Sequence, residues 1–407
     1  MSQTAIGVAD ATLDDAASPA PSVPQERSDP AWGAVLSLTL GVFGLVTTEF
    51  LPASLLTPLA TDLGVSEGAA GQAVTATAVV AAVTAPTLAI LTRTIDRRYV
   101  MWGLTVLLVA SNLLAALATS LPMLLLARVV LGVGLGGFWA MSGAIAMRLV
   151  PAAMLPRAMS IILTGVSVAT VCAAPIGAYL GNLWGWRTTF LLAAVIGVLT
   201  LAVQLATIPR LPPLDVASVR ALFEVGRNRM VRIGLIAILL VASGNFAGFT
   251  YVRTFLEQVP VLDIDTISLA LLAFGIAGFF GNLAGGFVAG RSLRLALSLA
   301  PLIMAVAALI LVVAGASPLF ATIGIALWGF GFGGVPVSVQ TWMIRAAPEQ
   351  AESAGGLMVT AFQVAIASGA VFGGLLVDHV GVLGPFVLFG LAALSAAVVV
   401  ALLTPRH

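Results

Sequence analysis

The chain contains no lysine: all 18 basic residues are arginine. Charge of either sign is scarce, at 9% of residues against about 25% in an average soluble protein. Cysteine occurs once, as Cys172, and histidine twice, as His379 and His407. One cysteine excludes an internal disulfide, and these three residues make no metal cluster. Clustered acids and matched Ser/Lys or Asp pairs are missing too, so a membrane-embedded enzyme lacks its groups and no cofactor is expected. What is abundant is apolar: 60% of 407 residues. One soluble core cannot hide that much apolar surface, so lipid must solvate it. The net charge of +1 is uninformative, because the placement of charge carries the signal.

About 20 apolar residues span a bilayer, and twelve segments qualify, at 32–58, 69–92, 99–119, 122–147, 158–181, 187–208, 232–256, 266–289, 294–315, 318–344, 353–377 and 383–404. An even number puts both termini on one side. Of the 18 arginines, 15 lie in the tails and in the loops on that side, including Arg210, Arg220, Arg227, Arg229 and Arg232. The opposite loops hold Arg187 and Arg253, and Arg128 is left within a span. By the positive-inside rule the termini are cytoplasmic. Residues 1–31, rich in Ala, Ser, Pro and Asp without an apolar run, read as a disordered tail.

The segment RVVLGVGLGGFWAMSGAIAMRLVP (128–151) has a partner in WGFGFGGVPVSVQTWMIRAAP (328–348). A shift of 197 residues places Gly132, Gly134, Gly136, Gly137, Arg148 and Pro151 on Gly329, Gly331, Gly333, Gly334, Arg345 and Pro348. It also places Arg97 on Arg294 and Gly177 on Gly374, whereas Arg128 falls on Ile325. The expected fold is all-α, with twelve transmembrane helices in two pseudo-symmetric six-helix bundles. The bundles would cover 32–208 and 232–407, joined by a linker at 209–231.

Ionisable groups inside a span are costly and mark function by default. Two qualify, Glu49 and Arg128. At about 1.5 Å per residue, Glu49 lies ~25 Å from Trp32 and Arg128 ~9 Å from Pro122, at similar depth. Facing a common cavity, they could carry a proton. Alternatively, Arg128 ties helices together through backbone carbonyls and Glu49 snorkels to the interface. Gln72, Trp139, Asn245, Phe246, Phe249, Tyr251, Trp328, Gln340 and Gln363 are the substrate candidates. Amides beside aromatic faces suit a flat, uncharged heteroaromatic ligand, though each also serves for helix packing. Gly165, Pro175 and Gly177 would bend one helix, and Gly278, Gly281, Gly285 and Gly286 another, for rocking or for tight packing. Asp62, Glu67, Glu257, Asp263, Asp265 and Asp378 read as solvated loop acids and Arg253 as interfacial.

Twelve spans, a central loop and a repeated half resemble the major facilitator superfamily and, within it, the drug:proton antiporter family with twelve spans. Arg128-x-x-x-Gly132-x-Gly134 is similar to that family's fourth-helix motif, whose arginine is implicated in proton transfer. Gly165 with Ala174-Pro175-Ile176-Gly177 resembles its fifth-helix signature, with Ala174 in place of glycine. Gly185-Trp186-Arg187 and Phe190 match the following turn. IDRRYV (95–100) keeps the gating pair Arg97 and Arg98 but lacks the family's glycines. The stretches at 49–72, 96–100, 135–142 and 147–151 strongly resemble the family's nucleoside-exporting branch. That resemblance implies efflux of purine ribonucleosides such as inosine and guanosine across the inner membrane, driven by inward proton flow. A broad drug or sugar efflux pump is the alternative. The implied partners are a small-molecule substrate, protons and the bilayer, without nucleic acid, in a monomer.

Overall fold

A computed structural model describes residues 29–403 except 93, 152–153, 213–223 and 348–350. Most of the expected tail and the middle of the expected linker therefore lie outside the described residues. The labelled helices are α1 (Trp32–Ser54), α2 (Leu56–Leu63), α3 (Glu67–Leu91), α4 (Arg97–Ala116), α5 (Leu121–Leu149), α6 (Leu155–Trp184), α7 (Trp186–Thr207), α8 (Arg229–Thr250), α9 (Val252–Gln258), α10 (Ile264–Arg291), α11 (Leu293–Ala314), α12 (Pro318–Ala346), α13 (Ala351–His379) and α14 (Gly384–Leu403). Twelve of them are long and apolar enough to cross a membrane; α2 and α9 are the exceptions. The chain is a multi-pass membrane protein. Helices answer the bilayer's demand that every backbone polar group be satisfied internally.

Helix starts follow local chemistry. Asp96, Asn228, Asp263 and Ser292 accept from backbone N–H groups in the first turns of α4, α8, α10 and α11. The Thr266 hydroxyl and N–H hold the Asp263 carboxyl below the usual carboxylate range. Proline stands in the first turn of α5, α6 and α12, where its missing N–H costs nothing. Leu309, Val313 and Leu402 are 62%, 76% and 77% exposed, on faces that only lipid can cover.

One sequence expectation changes. The first and seventh spans break before their expected ends, at Leu55 and Tyr251, both with φ −111°, and the chain continues as the separate short helices α2 and α9. The fifth and eighth spans, whose glycines were expected to bend them or to pack tightly, are the helices α6 and α10. Their glycines are packing sites. A methyl on Gly165 would lie 2.5 Å from the Thr39 carbonyl oxygen, and one on Gly285 would lie 2.7 Å from the Gly334 Cα.

The 197-residue repeat extends to these contacts. A methyl on Gly132 would meet the Thr77 carbonyl oxygen, and one on Gly329 that of Phe274. Gly136 packs in the same way on Ala81, and Gly333 on Gly278. Gly177 faces the Ser54 hydroxyl and Gly374 the Tyr251 hydroxyl, each 2.5 Å from the position of an added Cβ. In all three pairs both partners shift by 197, so α3 packs on α5 as α10 packs on α12. Close backbone approach replaces the hydrophobic drive that lipid removes.

Candidate functional site

Pro52, inside α1, has no N–H, so the Thr48 carbonyl four residues earlier has no helical donor. Arg128 of α5 supplies one: its Nη2 donates to Thr48 O at 2.8 Å. The arginine is fully buried, and its guanidinium lies 5.9 Å from the Phe190 ring centroid. Asn112 of α4 holds the same turn from the other side, donating from Nδ2 to Thr48 Oγ1 at 3.1 Å and to Leu108 O at 3.0 Å.

Glu49 is the next residue along α1. It is 8% exposed and lies between helices, turned away from lipid. Arg128 of α5, without an ion-pair contact, and Gln363 of α13, from the other six-helix group, are the polar side chains near enough to act on its carboxyl. Buried atoms here remain unpaired: Glu49 Oε1, Arg128 Nε and Nη1, Asn112 Oδ1 and Gln363 Oε1. Such groups are costly to leave alone.

The remaining candidates separate. Phe246 and Phe249 gather on Phe50, the residue after Glu49, whose ring centroid lies 6.4 and 5.6 Å from theirs. Asn245 and Trp328 bind each other: Trp328 Nε1 donates to Asn245 Oδ1 at 2.8 Å, and the indole is fully buried among Phe249, Phe274, Phe386 and Phe389. Tyr251 is fully buried and donates to Ala370 O at 2.9 Å. Gln72 sits one turn into α3 and donates to Gly68 O at 3.3 Å. Trp139 is half-buried. Gln340, expected at mid-depth, is exposed ~33 Å along α12. Pro175 lines an apolar cleft of about 570 Å³ between α6 and α10, with Cys172, Tyr179 and Leu269. Arg97 donates to Thr92 O and Oγ1 at 3.0 and 2.8 Å, while Arg98 lies over the Tyr99 and Trp102 rings. Both bonds stay within the first six spans.

A second cluster escaped the sequence reading. On the face opposite the termini, Arg253 is 5% exposed. Its Nη1 donates to Ser54 O at 2.7 Å, and Pro58 explains why that carbonyl is free. Its Nε pairs with Glu257 at 2.7 Å. Thr57 donates to Glu257 at 2.6 Å, Ser66 donates to Asp378 at 2.8 Å, and Gly68 N donates to Asp378 at 3.2 Å. Together these hydrogen bonds join the first six spans to the last six on this face. Glu257 and Asp378, read as solvated, and Arg253, read as interfacial, are instead a clamp. Asp62, also read as solvated, pairs with Arg187 at 2.5 Å within the first six spans. The proline positions were the available signal.

Twelve spans in a duplicated arrangement, with one buried acid beside one buried base at the joint, define a transporter. The profile of the Major Facilitator Superfamily matches residues 38–370, and the chain belongs to that family. It is a membrane transporter of small molecules and not an enzyme. It is 44% identical over 372 residues to the purine ribonucleoside efflux pump NepI of Salmonella enteritidis PT4, covering 91% of this chain and 94% of that one. The same protein of Salmonella typhimurium LT2 matches to the same extent. Among solved structures it resembles a bacterial homologue of the human lysosomal transporter Spinster in an inward-facing, unoccupied conformation. There the TM-score is 0.74 at 15% identity over 93% of this chain and 96% of that one. It also resembles a D-xylose–proton symporter, with TM-score 0.74 at 17% identity over 93% and 98%. At these identities the structures speak to the fold alone.

Proposed function

We propose that this protein exports purine ribonucleosides such as inosine and guanosine across the inner membrane in exchange for protons. It lies there as a monomer with both termini in the cytoplasm, as the arginine distribution favours. Residues 32–208 and 232–407 act as two bodies joined by 209–231, rocking about a site between them. The clamp of Arg253, Glu257 and Asp378 then closes the outer face, and the site opens inward. Exchange of a neutral nucleoside for one proton gains about 2.3 kcal/mol per 100 mV of membrane potential.

The observation that carries this reading is the burial of Glu49 beside Arg128 in a chain so similar to pumps bearing that name. Glu49 holds the proton, and Arg128 favours its charged form once the proton leaves. Inside-out vesicles test it. Acidifying the lumen should drive inosine accumulation, and Glu49→Gln should abolish that drive. Undiminished accumulation in the variant refutes the carrier role. Competition by chloramphenicol, but not by guanosine, refutes the substrate.

A further inference from the structure

We propose that Glu67 shuts the outer clamp by taking up a proton. Protonated, it joins Thr57 and Glu257 in one hydrogen-bonded chain across the joint between the two six-helix groups; charged, it repels Glu257 and lets that face part. The proposal rests on the reading that this face is the outer one and opens and closes during transport.

Thr57 Oγ1, on α2, lies 2.6 Å from Glu257 Oε2 of α9 and 3.2 Å from Glu67 Oε1 of α3. A hydroxyl has one hydrogen to donate. The shorter contact takes it, so no hydrogen lies between Thr57 and Glu67 unless Glu67 brings one. A protonated Glu67 does: it donates to Thr57 Oγ1, and Thr57 donates to Glu257. Thr254, one residue after Arg253, is fully buried, and its hydroxyl has no hydrogen-bond partner. It is near enough to act on the Glu67 carboxyl. The protonated acid therefore has an acceptor in Thr57 for its O–H and a donor in Thr254 for its carbonyl oxygen.

The surrounding charges leave Glu67 without a counterion. Arg253 spends its two bonds on Glu257 Oε1 and Ser54 O. Asp378 of α13 accepts from Ser66 and Gly68, the residues on either side of Glu67, and brings a third acid to the cluster. His379, next to it, is exposed, and Asp62 of α2 is matched by Arg187. Tyr251 donates its hydroxyl to Ala370 O. The Glu67 and Glu257 carboxyls share one hydroxyl and lie within about 6 Å of each other, where like charges oppose one another. Glu67 belongs to the first six spans and Glu257 to the last six, so the repulsion acts across the joint. Acid on the outer side holds the face shut, and alkali releases it. The clamp meets only that side, so this proton returns to where it came from and is not one of those transported.

Spin labels at Thr119→Cys and Ala316→Cys, in a Cys172→Ala background, test this in the full chain. Both positions are exposed, lie on the face opposite the termini and are related by the 197-residue shift. In the native chain the ratio of long to short label distances should rise with pH, by at most about tenfold per unit for one proton. Glu67→Gln, which carries its hydrogen permanently, should stay closed and vary less than about twofold over the same series. Thr57→Val, which removes the bridging hydroxyl, should open at lower pH than the native chain and carries the test if the glutamine variant does not fold. A native profile in Glu67→Gln or in Thr57→Val overturns the proposal alone, because another group then sets the opening. A native distance that stays fixed at every pH, with and without inosine, overturns the underlying reading as well, because the face then does not open.

Discussion

Arg128 reaches from α5 to the Thr48 carbonyl that Pro52 leaves without a donor, at 2.8 Å, one residue before Glu49. Arg253 repeats the device at Ser54, whose helical donor would have been Pro58. In both places a proline opens a hydrogen-bonding vacancy in α1 or at its end, and an arginine from another helix fills it. The first bond stays within the first six spans and sets the acid's surroundings. The second crosses to the last six spans and ties the two groups of helices together on one face.

Pro52→Ala restores an N–H that competes with Arg128 for the Thr48 carbonyl. Arg128→Lys keeps the charge but loses the planar fork and its reach. Both variants should insert normally and lose proton-driven efflux, by at least tenfold for Arg128→Lys, equivalent to about 1.4 kcal/mol. Vesicle uptake normalised to immunoblotted protein measures this. Lysine at full activity would mean that only charge matters at position 128.

The glycine contacts predict stability. A methyl on Gly136 would lie 2.5 Å from the Ala81 carbonyl oxygen and 2.9 Å from the Ala81 Cα, so α3 and α5 must separate. Gly136→Ala should cost about 1–3 kcal/mol, the usual penalty of overpacking. Gly143, on the same helix, has nothing within 4 Å of an added Cβ. Gly143→Ala should be neutral or slightly stabilising. Thermal unfolding in detergent compares them, and equal melting temperatures would contradict the packing.

These contacts also mark how far the sequence could be read. The twelve spans were legible because lipid imposes a length and a composition on each. The repeat was legible because glycine cannot be exchanged where backbones touch, as at Gly132 and Gly329. The breaks at Leu55 and Tyr251 were hidden, since apolar residues run through them. Asn245 and Trp328 looked like substrate contacts because a buried amide beside an indole fits either role; only geometry shows them bonded to each other. Arg253 looked interfacial because its partner Ser54 belongs to the other group of helices, 199 residues away in the chain.

Closure of that face makes its own prediction. Ser66 of α3 and Asp378 of α13 are hydrogen-bonded at 2.8 Å. Replacing both with cysteine, with Cys172→Ala removing the native thiol, should allow a disulfide under mild oxidation. If alternating access requires the clamp to open, oxidation should stop efflux nearly completely and a reductant should restore it. Continued efflux by the fully cross-linked protein would show that this face need not part.

The pairing of Asn245 with Trp328 separates scaffold from site. Trp328 Nε1 has one partner, Asn245 Oδ1, and no water can reach a fully buried indole among four phenylalanines. Asn245→Leu strands that donor and should cost about 1–3 kcal/mol of stability. Trp328→Phe removes the donor and leaves a void beside Phe389, with a loss of similar size. Because both changes break one bond, the double variant should lose clearly less than their sum. Inosine KM should stay within about twofold in both singles, since neither group is free to touch substrate while the bond holds. A large rise in KM with unchanged melting temperature would instead return both residues to the substrate site.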